Sequence, residues 1–212
     1  MRNKDPFEIE ITPDLILRAY RAGIFPMAED ADDTDVFWVS PTRRGVLPLD
    51  AFHVSTSLRK VLRSHTFQLS VDRDFYAVID ACAAPAADRE TTWINSTIRR
   101  AYGDLFSRGH CHTVEVWDGE ELVGGLYGLA IGGAFFGESM FHRRSNASKI
   151  AMAHLVERLR AGGFTLLDTQ FLTDHLKSLG GVEVPRETYE LMLADALQRP
   201  GDWSAPDRGA KP

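Results

Sequence analysis

Cysteine is scarce in this sequence: Cys82 and Cys111 are the only two among 212 residues. Two thiols cannot build a disulfide framework or a four-cysteine zinc site, and their scarcity fits a reducing compartment. Long hydrophobic runs are missing as well. The longest weakly polar stretch, residues 122–137, contains six glycines and falls short of the roughly 20 apolar residues a membrane helix needs. It reads as a buried hairpin. The opening MRNKDPFEIEITPD holds no apolar stretch of roughly 7–15 residues, so it is not a secretory signal, and a cytoplasmic protein with no membrane partner is expected. Basic charge is not in excess: 24 Lys+Arg against 30 Asp+Glu leave a formal charge of -6. That balance argues against a protein coating DNA, although a local basic patch can still hold RNA. Neither G-x-G-x-x-G nor G-x-x-x-x-G-K-[ST] occurs, so no Rossmann cofactor and no P-loop is supported. With 44% hydrophobic and 25% charged residues, what remains is an ordinary globular composition, large enough for a core without staples.

Local signals divide the chain. Thr12-Pro13 ahead of Leu15, Ile16 and Ala19, with Gly23 beyond, predicts a short opening helix. A loop-rich stretch follows, in which Glu29, Asp30, Asp32, Asp33 and Asp35 form an acidic patch read as solvated. Pro41 and Pro48 flank Arg43 and Arg44, marking an irregular or edge-strand segment. A small N-terminal domain is expected over 1–52 and a larger one over 53–212. In the larger part, helices are predicted through Leu58–Leu62, after Asp72 and after Asn95, with a strand over Phe67–Val71. Three strands, Val114–Trp117, Leu122–Ile131 and Ala134–Phe141, read as an antiparallel meander, because Asp118-Gly119 and Gly132-Gly133 are favoured hairpin turns. Met152, Leu155, Val156 and Leu159 then recur at helical spacing, Phe164–Asp168 forms a further strand, and two helices precede a frayed tail after Pro200. The expectation is an α/β (α+β) chain with a central mixed, largely antiparallel sheet, in the order found in acetyltransferase-like (GNAT-like) domains.

Three constellations could carry chemistry. Arg43, Arg44, Arg59, Lys60 and Arg63 form one basic patch, and Arg143, Arg144 and their neighbours another. Arginine suits forked phosphate contacts, and Trp38 and Trp93 beside such patches could stack a base. Glu138 lies within the apolar GAFFGESMF stretch, where a carboxylate is costly unless paired. Asp168 and Gln170 end the LLDTQ strand two positions apart, which places them on one face of an extended chain. His110, His112 and Cys111 tempt a metal assignment, but no third ligand at a recognisable spacing exists, so no metal is expected. Asn95 and Asn146 read as helix caps.

Taken together, YRAGIFPM (20–27), FWVSPTRRGVLPLDAFHVSTSLRK (37–60), TTWINSTIRRAY (91–102), GHCHTVEVW (109–117), GGLYG (124–128), FGESMFHRRSNASKIA (136–151) and LLDTQFLTDHLKSLG (166–180) resemble the bacterial leucyl/phenylalanyl-tRNA-protein transferases over roughly residues 12 to 195. The resemblance implies transfer of Leu or Phe, less often Met, from aminoacyl-tRNA to proteins that start with Arg or Lys, marking them for N-end rule degradation. It implies an N-terminal domain followed by an acetyltransferase-like domain, and neither acetyl-CoA nor another cofactor. Alternatives of other classes are an N-acetyltransferase and a noncatalytic tRNA-binding module.

In the terms of that resemblance, Asp168 and Gln170 are the catalytic pair. Asp168 orients or polarises Gln170, and Gln170 contacts the attacking amine. Glu138 helps shape the aminoacyl site, Leu126, Met152, Leu155 and Leu159 wall the pocket for the Leu or Phe side chain, and Trp38 and Trp93 lie near the terminal adenosine. Arg43, Arg44, Arg59, Lys60, Arg63, Arg143 and Arg144 hold the acceptor stem through phosphates. An aminoacyl ester is already activated, so positioning and charge stabilisation suffice. An α-amine titrating at about 7.7–8.0 is partly neutral near pH 7, whereas a lysine at about 10.4 is not, which favours attack through the chain terminus.

Overall fold

The computed structural model describes residues 11–33, 35–85 and 91–209. Helix α1 (Pro13–Arg21) starts where the sequence predicts: Thr12 accepts a hydrogen bond from the Leu15 amide at 3.2 Å, and Pro13 occupies the first turn. A proline there loses no intrahelical bond. Strands β1 (Phe25–Met27) and β2 (Phe37–Val39) pair as an antiparallel ribbon within the stretch expected to be loop.

The remaining strands form one seven-stranded sheet. In chain order these are β3 (Arg43–Val46), β4 (Gln68–Val71), β5 (Cys111–Asp118), β6 (Glu121–Ile131), β7 (Ala134–His142), β8 (Leu166–Gln170) and β9 (Val182–Pro185). The spatial order is β4-β5-β6-β7-β8-β3-β9. All neighbours run antiparallel except β7 and β8, so the sheet is mixed and largely antiparallel, as expected. The meander is present with Gly132-Gly133 as its second turn; its first turn falls on Gly119-Glu120, one residue later than predicted, because Asp118 still pairs with Glu121.

One prediction is corrected here. Residues 43–46 are not an edge: β3 lies between β8 and β9 and pairs with both, with a register shift against β8 between Gly45 and Val46. The strand is short enough to fit between Pro41 and Pro48, so neither proline has to donate to the ladder. The polypeptide before position 52 thus supplies a strand to the central sheet.

The helices cover both faces. On one face, α1 packs with α3 (Phe75–Ala83), α4 (Ser96–Ser107) and α7 (Arg186–Gln198) around a core that includes Tyr20, Tyr102, Tyr127 and Phe136. On the other face, α2 (Thr56–Ser64), α5 (Ala147–Ala161) and α6 (Asp174–Ser178) enclose Val114, Val116, Leu126 and Leu155. Period-2 alternation sorts Val114 and Leu126 to one side and Cys111 and Tyr127 to the other. Helix α3 is capped by Asp74 rather than Asp72, which takes a left-handed φ of 54° in the preceding turn. Asn95 caps α4 through its side chain, whereas Asn146 occupies the cap position of α5 without a side-chain bond.

The tail is not frayed through residue 207. Trp203 stacks on His112 and Phe135 with ring centroids 4.5 and 5.4 Å apart, and Arg158 binds Asp207 through two contacts of 2.6 and 2.8 Å. These long-range partners, invisible to local composition, anchor the segment; residues 210–212 lie outside the described residues.

Candidate functional site

The single parallel pair creates the cleft. Strands β7 and β8 are in register only over Ala134–Phe136 and Leu166–Asp168. Beyond that point both strands continue, to His142 and Gln170, without pairing to each other. Two neighbouring strands that stop bonding part, and a cavity of about 640 Å³ opens there between them, α5 and α6. Its volume lies within the roughly 300–1,000 Å³ of small-ligand sites.

One wall is apolar: Leu126, Met140, Met152 and Leu155 line it, and Phe141 and Trp93 add further apolar surface to the cavity. The other wall is polar, formed by Glu138, Thr169 and Gln170. The close seat of α5 against the sheet depends on Gly124, where a Cβ would come within 2.5 Å of the Ala147 Cβ.

Beneath the polar wall lies a buried ion pair. Asp168 is fully buried, and Arg44 is 1% exposed. Arg44 donates from Nε at 2.9 Å and from Nη2 at 2.7 Å to the two Asp168 oxygens, and from Nη1 to the Gly23 carbonyl. Its guanidinium is sandwiched by the Phe25 and Tyr189 rings at 4.6 and 4.5 Å. The Tyr189 hydroxyl and the Gln170 amide N–H also donate to Asp168, at 2.7 and 2.9 Å. Four donors satisfy this carboxylate in a place where an unpaired charge would be costly. Asp168 therefore grips the main chain of Gln170, which sits at a left-handed φ of 56°. That turn breaks the strand alternation on which the sequence reading relied. It also needs Gly45 opposite, where a Cβ would approach the Phe171 backbone to 2.6 Å.

Glu138 holds the second polar cluster. The Tyr20 hydroxyl lies 2.7 Å from its Oε1, the Tyr102 hydroxyl 3.1 Å from its Oε2, and the two hydroxyls are 2.6 Å apart. Burial pushes the Glu138 carboxyl up to about 8, against the pull of the two tyrosines. Burial and the nearby Glu138 also hold the Tyr20 and Tyr102 hydroxyls well above the usual phenol range.

A stability prediction follows from the sign of that shift. The folded state keeps its proton up to about 8 whereas an ordinary glutamate loses it near 4.5. The contribution is complete below the lower value and lost as pH rises through the upper one. Glu138→Gln, which does not titrate, should gain in melting temperature relative to wild type between these two values and hold a level advantage above them. A pH-independent difference in thermal melts would contradict this.

The Gln170 amide has two possible orientations. In one, Nε2 donates to Glu138 Oε1 at 3.3 Å. In the other, it donates to the Gly137 carbonyl at 2.7 Å and the Thr169 carbonyl at 3.1 Å. The second makes more and shorter bonds, and it turns the Gln170 carbonyl oxygen toward Glu138.

The structure thus gathers Glu138, Gln170, Leu126, Met152, Leu155 and Trp93 around one cavity. Leu159 is corrected: it is fully buried in the core one helical turn beyond Leu155 and lines no part of the cavity. Arg44 is corrected too, since a guanidinium buried and committed to Asp168 cannot meet a phosphate. Trp38 pairs across from Pro26 in the β1–β2 ribbon and does not itself line the cavity. Arg59, Lys60 and Arg63 are exposed along α2. Arg43 pairs with Glu183, and Arg144 with Glu121, in exposed ion pairs that bind weakly enough to exchange. Arg143 donates to the Leu122 carbonyl at the cavity rim. Among the described residues, no group of three or more His, Cys, Asp or Glu is placed to hold a metal ion, and no helix is long and apolar enough to cross a membrane. The sequence reading missed Tyr20, Tyr102 and Tyr189. Tyr20 and Tyr102 fall on apolar helix faces, where a hydroxyl that must find a buried partner was the available signal.

Fold and cleft together define a mixed α/β protein with a candidate ligand site at the parting of its central strands, apolar on one side and acid-amide on the other. Residues 46–194 match the family model described as leucyl/phenylalanyl-tRNA protein transferase, and residues 9–42 match that of its N-terminal domain. The leucyl/phenylalanyl-tRNA–protein transferase of Afipia carboxidovorans is 56% identical over 205 residues, covering 97% of this chain and 90% of that protein. That of Rhodopseudomonas palustris strain TIE-1 is 58% identical over 196 residues, covering 92% and 87%. The chain belongs to the leucyl/phenylalanyl-tRNA–protein transferase family, a family of transferases. Solved structures are more distant: L-PGS from Bacillus licheniformis has a TM-score of 0.45 at 10% identity, covering 88% of this chain and 70% of its own. A GCN5-related N-acetyltransferase-like protein from Streptococcus suis has a TM-score of 0.35 at 18% identity, covering 80% and 65%.

Proposed function

We propose that this chain moves Leu or Phe, and less readily Met, from aminoacyl-tRNA to the α-amine of proteins that begin with Arg or Lys, in the cytoplasm, marking them for N-end rule degradation. The observation that supports this beyond family membership is the cavity itself, a slot that offers apolar walls to a side chain and polar groups to an amine and an ester within one space. Leu126, Met140, Met152 and Leu155 form the seat for an unbranched-at-Cβ side chain; methionines let that seat adapt to both Leu and Phe. Asp168 acts as a positioning residue through the main chain of Gln170, and the Gln170 side chain meets the amine. The ester carries its own activation, so the protein's contribution is orientation and electrostatics.

Charged tRNA(Leu), tRNA(Phe) and tRNA(Met), incubated with peptides that differ only in their first residue, should give mass addition at the N-terminus of those starting with Arg or Lys. Binding of tRNA without any such addition would reduce the chain to a binding module, and label from acetyl-CoA on the peptide would make it an acetyltransferase.

The exposed cations of α2 supply phosphate contacts in this reading. Reversing Arg59, Lys60 and Arg63 to Glu should weaken aminoacyl-tRNA binding and make the slope of log K against log salt shallower by about 2–3. An unchanged slope would place the tRNA on another face.

A further inference from the structure

We propose that Glu138 takes the proton that the acceptor's α-ammonium must lose, with the Gln170 carbonyl oxygen as the ammonium's second contact; the inference rests on the transfer reaction proposed above. The site has two carboxylates, and geometry separates their roles. Asp168 is fully buried, its oxygens are engaged by Arg44, Tyr189 and the Gln170 amide, and it does not line the cavity. No substrate amine reaches it. Glu138 does line the cavity.

With the Gln170 amide turned to donate to Gly137 and Thr169, two acceptor oxygens face each other across the 3.3 Å contact. Such a pair is satisfied by a proton on Glu138, or by an ammonium donating to both oxygens. Tyr20 and Tyr102 hold the carboxylate from behind and leave it one direction for exchange.

The charged and titratable surroundings are consistent from every side. Tyr20 on α1, Tyr102 on α4, Tyr127 on β6 and Cys111 on β5 all stay neutral beside it, their hydroxyls and thiol pushed up by burial and by Glu138, while the Tyr189 hydroxyl on α7 is pushed up by burial and by Asp168. Asp168 on β8 opposes ionisation of Glu138, and Arg44 on β3 favours it. The Glu138 carboxyl at about 8 is matched to an α-amine at about 7.7–8.0, so the proton passes between them at little cost.

The step balances. Glu138 releases its resting proton to water as the ammonium takes its place between the two oxygens; the ammonium then gives one proton to the carboxylate, and its freed lone pair forms the C–N bond at the ester carbonyl carbon. As the bond from that carbon to the ribose oxygen breaks, the leaving oxygen takes the proton from Glu138. The new amide nitrogen returns its surplus proton to the carboxylate, which restores the resting acid. No redox partner or cofactor enters.

The test compares an Arg-starting peptide with the same peptide carrying an aminooxy group in place of its α-amine, a nucleophile already neutral at pH 7. Glu138→Gln should lower transfer to the amine about 100-fold and transfer to the aminooxy peptide less than about fivefold. Glu138→Asp, which keeps a carboxylate but withdraws it, should recover part of the amine rate, and it serves equally if the Gln variant folds poorly. Equal losses on the two nucleophiles, or no loss on either, would overturn the role of Glu138. Wild-type protein inert toward both peptides would remove the transfer reaction itself.

Discussion

Replacing Arg44 with Met should cost about 3–5 kcal/mol of stability, because it leaves the Asp168 charge buried without its partner. The guanidinium makes two short contacts to that carboxylate, a third bond to the Gly23 carbonyl and two ring contacts. The neighbouring donors, the Tyr189 hydroxyl and the Gln170 amide, are neutral and cannot balance a full charge. The double variant Arg44→Met with Asp168→Leu removes both charges at once and should be less destabilised than the two single variants added together. Urea melts of the four proteins give the coupling. An Arg44→Met protein within about 1 kcal/mol of wild type would mean that the pair is not the anchor described here.

Leu155→Trp should abolish most transfer of Phe, by more than about 100-fold, since the larger ring occupies the slot that the substrate side chain needs. Leu155 faces the cavity while being fully shielded from bulk solvent, so the added atoms have the empty slot to enter and need not overpack the core. Binding of uncharged tRNA should persist, because the phosphate contacts proposed for α2 are untouched. Unchanged rates for both Leu and Phe would show that these side chains only pack the interior. A melting temperature close to that of wild type is the accompanying control.

Much of the fold was legible because its signals are local. Thr12 and Asn95 cap the helices they precede, the Gly132-Gly133 turn closes a hairpin, and the repeat of Met152, Leu155 and Val156 marks one buried helix face. The strand at residues 43–46 was misread because its ladder partners, β8 and β9, lie more than 120 positions away in the chain, and only local prolines could be consulted. Arg44 went with Arg43 into a basic patch for the same reason. Adjacent residues of a strand face opposite ways, and here one guanidinium reaches solvent while the other is sealed beneath Phe25 and Tyr189.

The site was legible in its residue types but not in its arrangement. Glu138 stood out as a carboxylate among apolar neighbours, and Asp168 and Gln170 as polar ends of a strand. Nothing near them in the chain announced that Tyr20, 118 positions away, and Tyr102, 36 positions away, would hold the glutamate. The order of residues settled the helices, most of the strands and, through its recurring segments, the family. Which carboxylate is locked into an ion pair and which one faces the cleft was decided only by the folded arrangement, because burial and charge neighbours depend on contacts between distant segments, and these govern where a proton can reside.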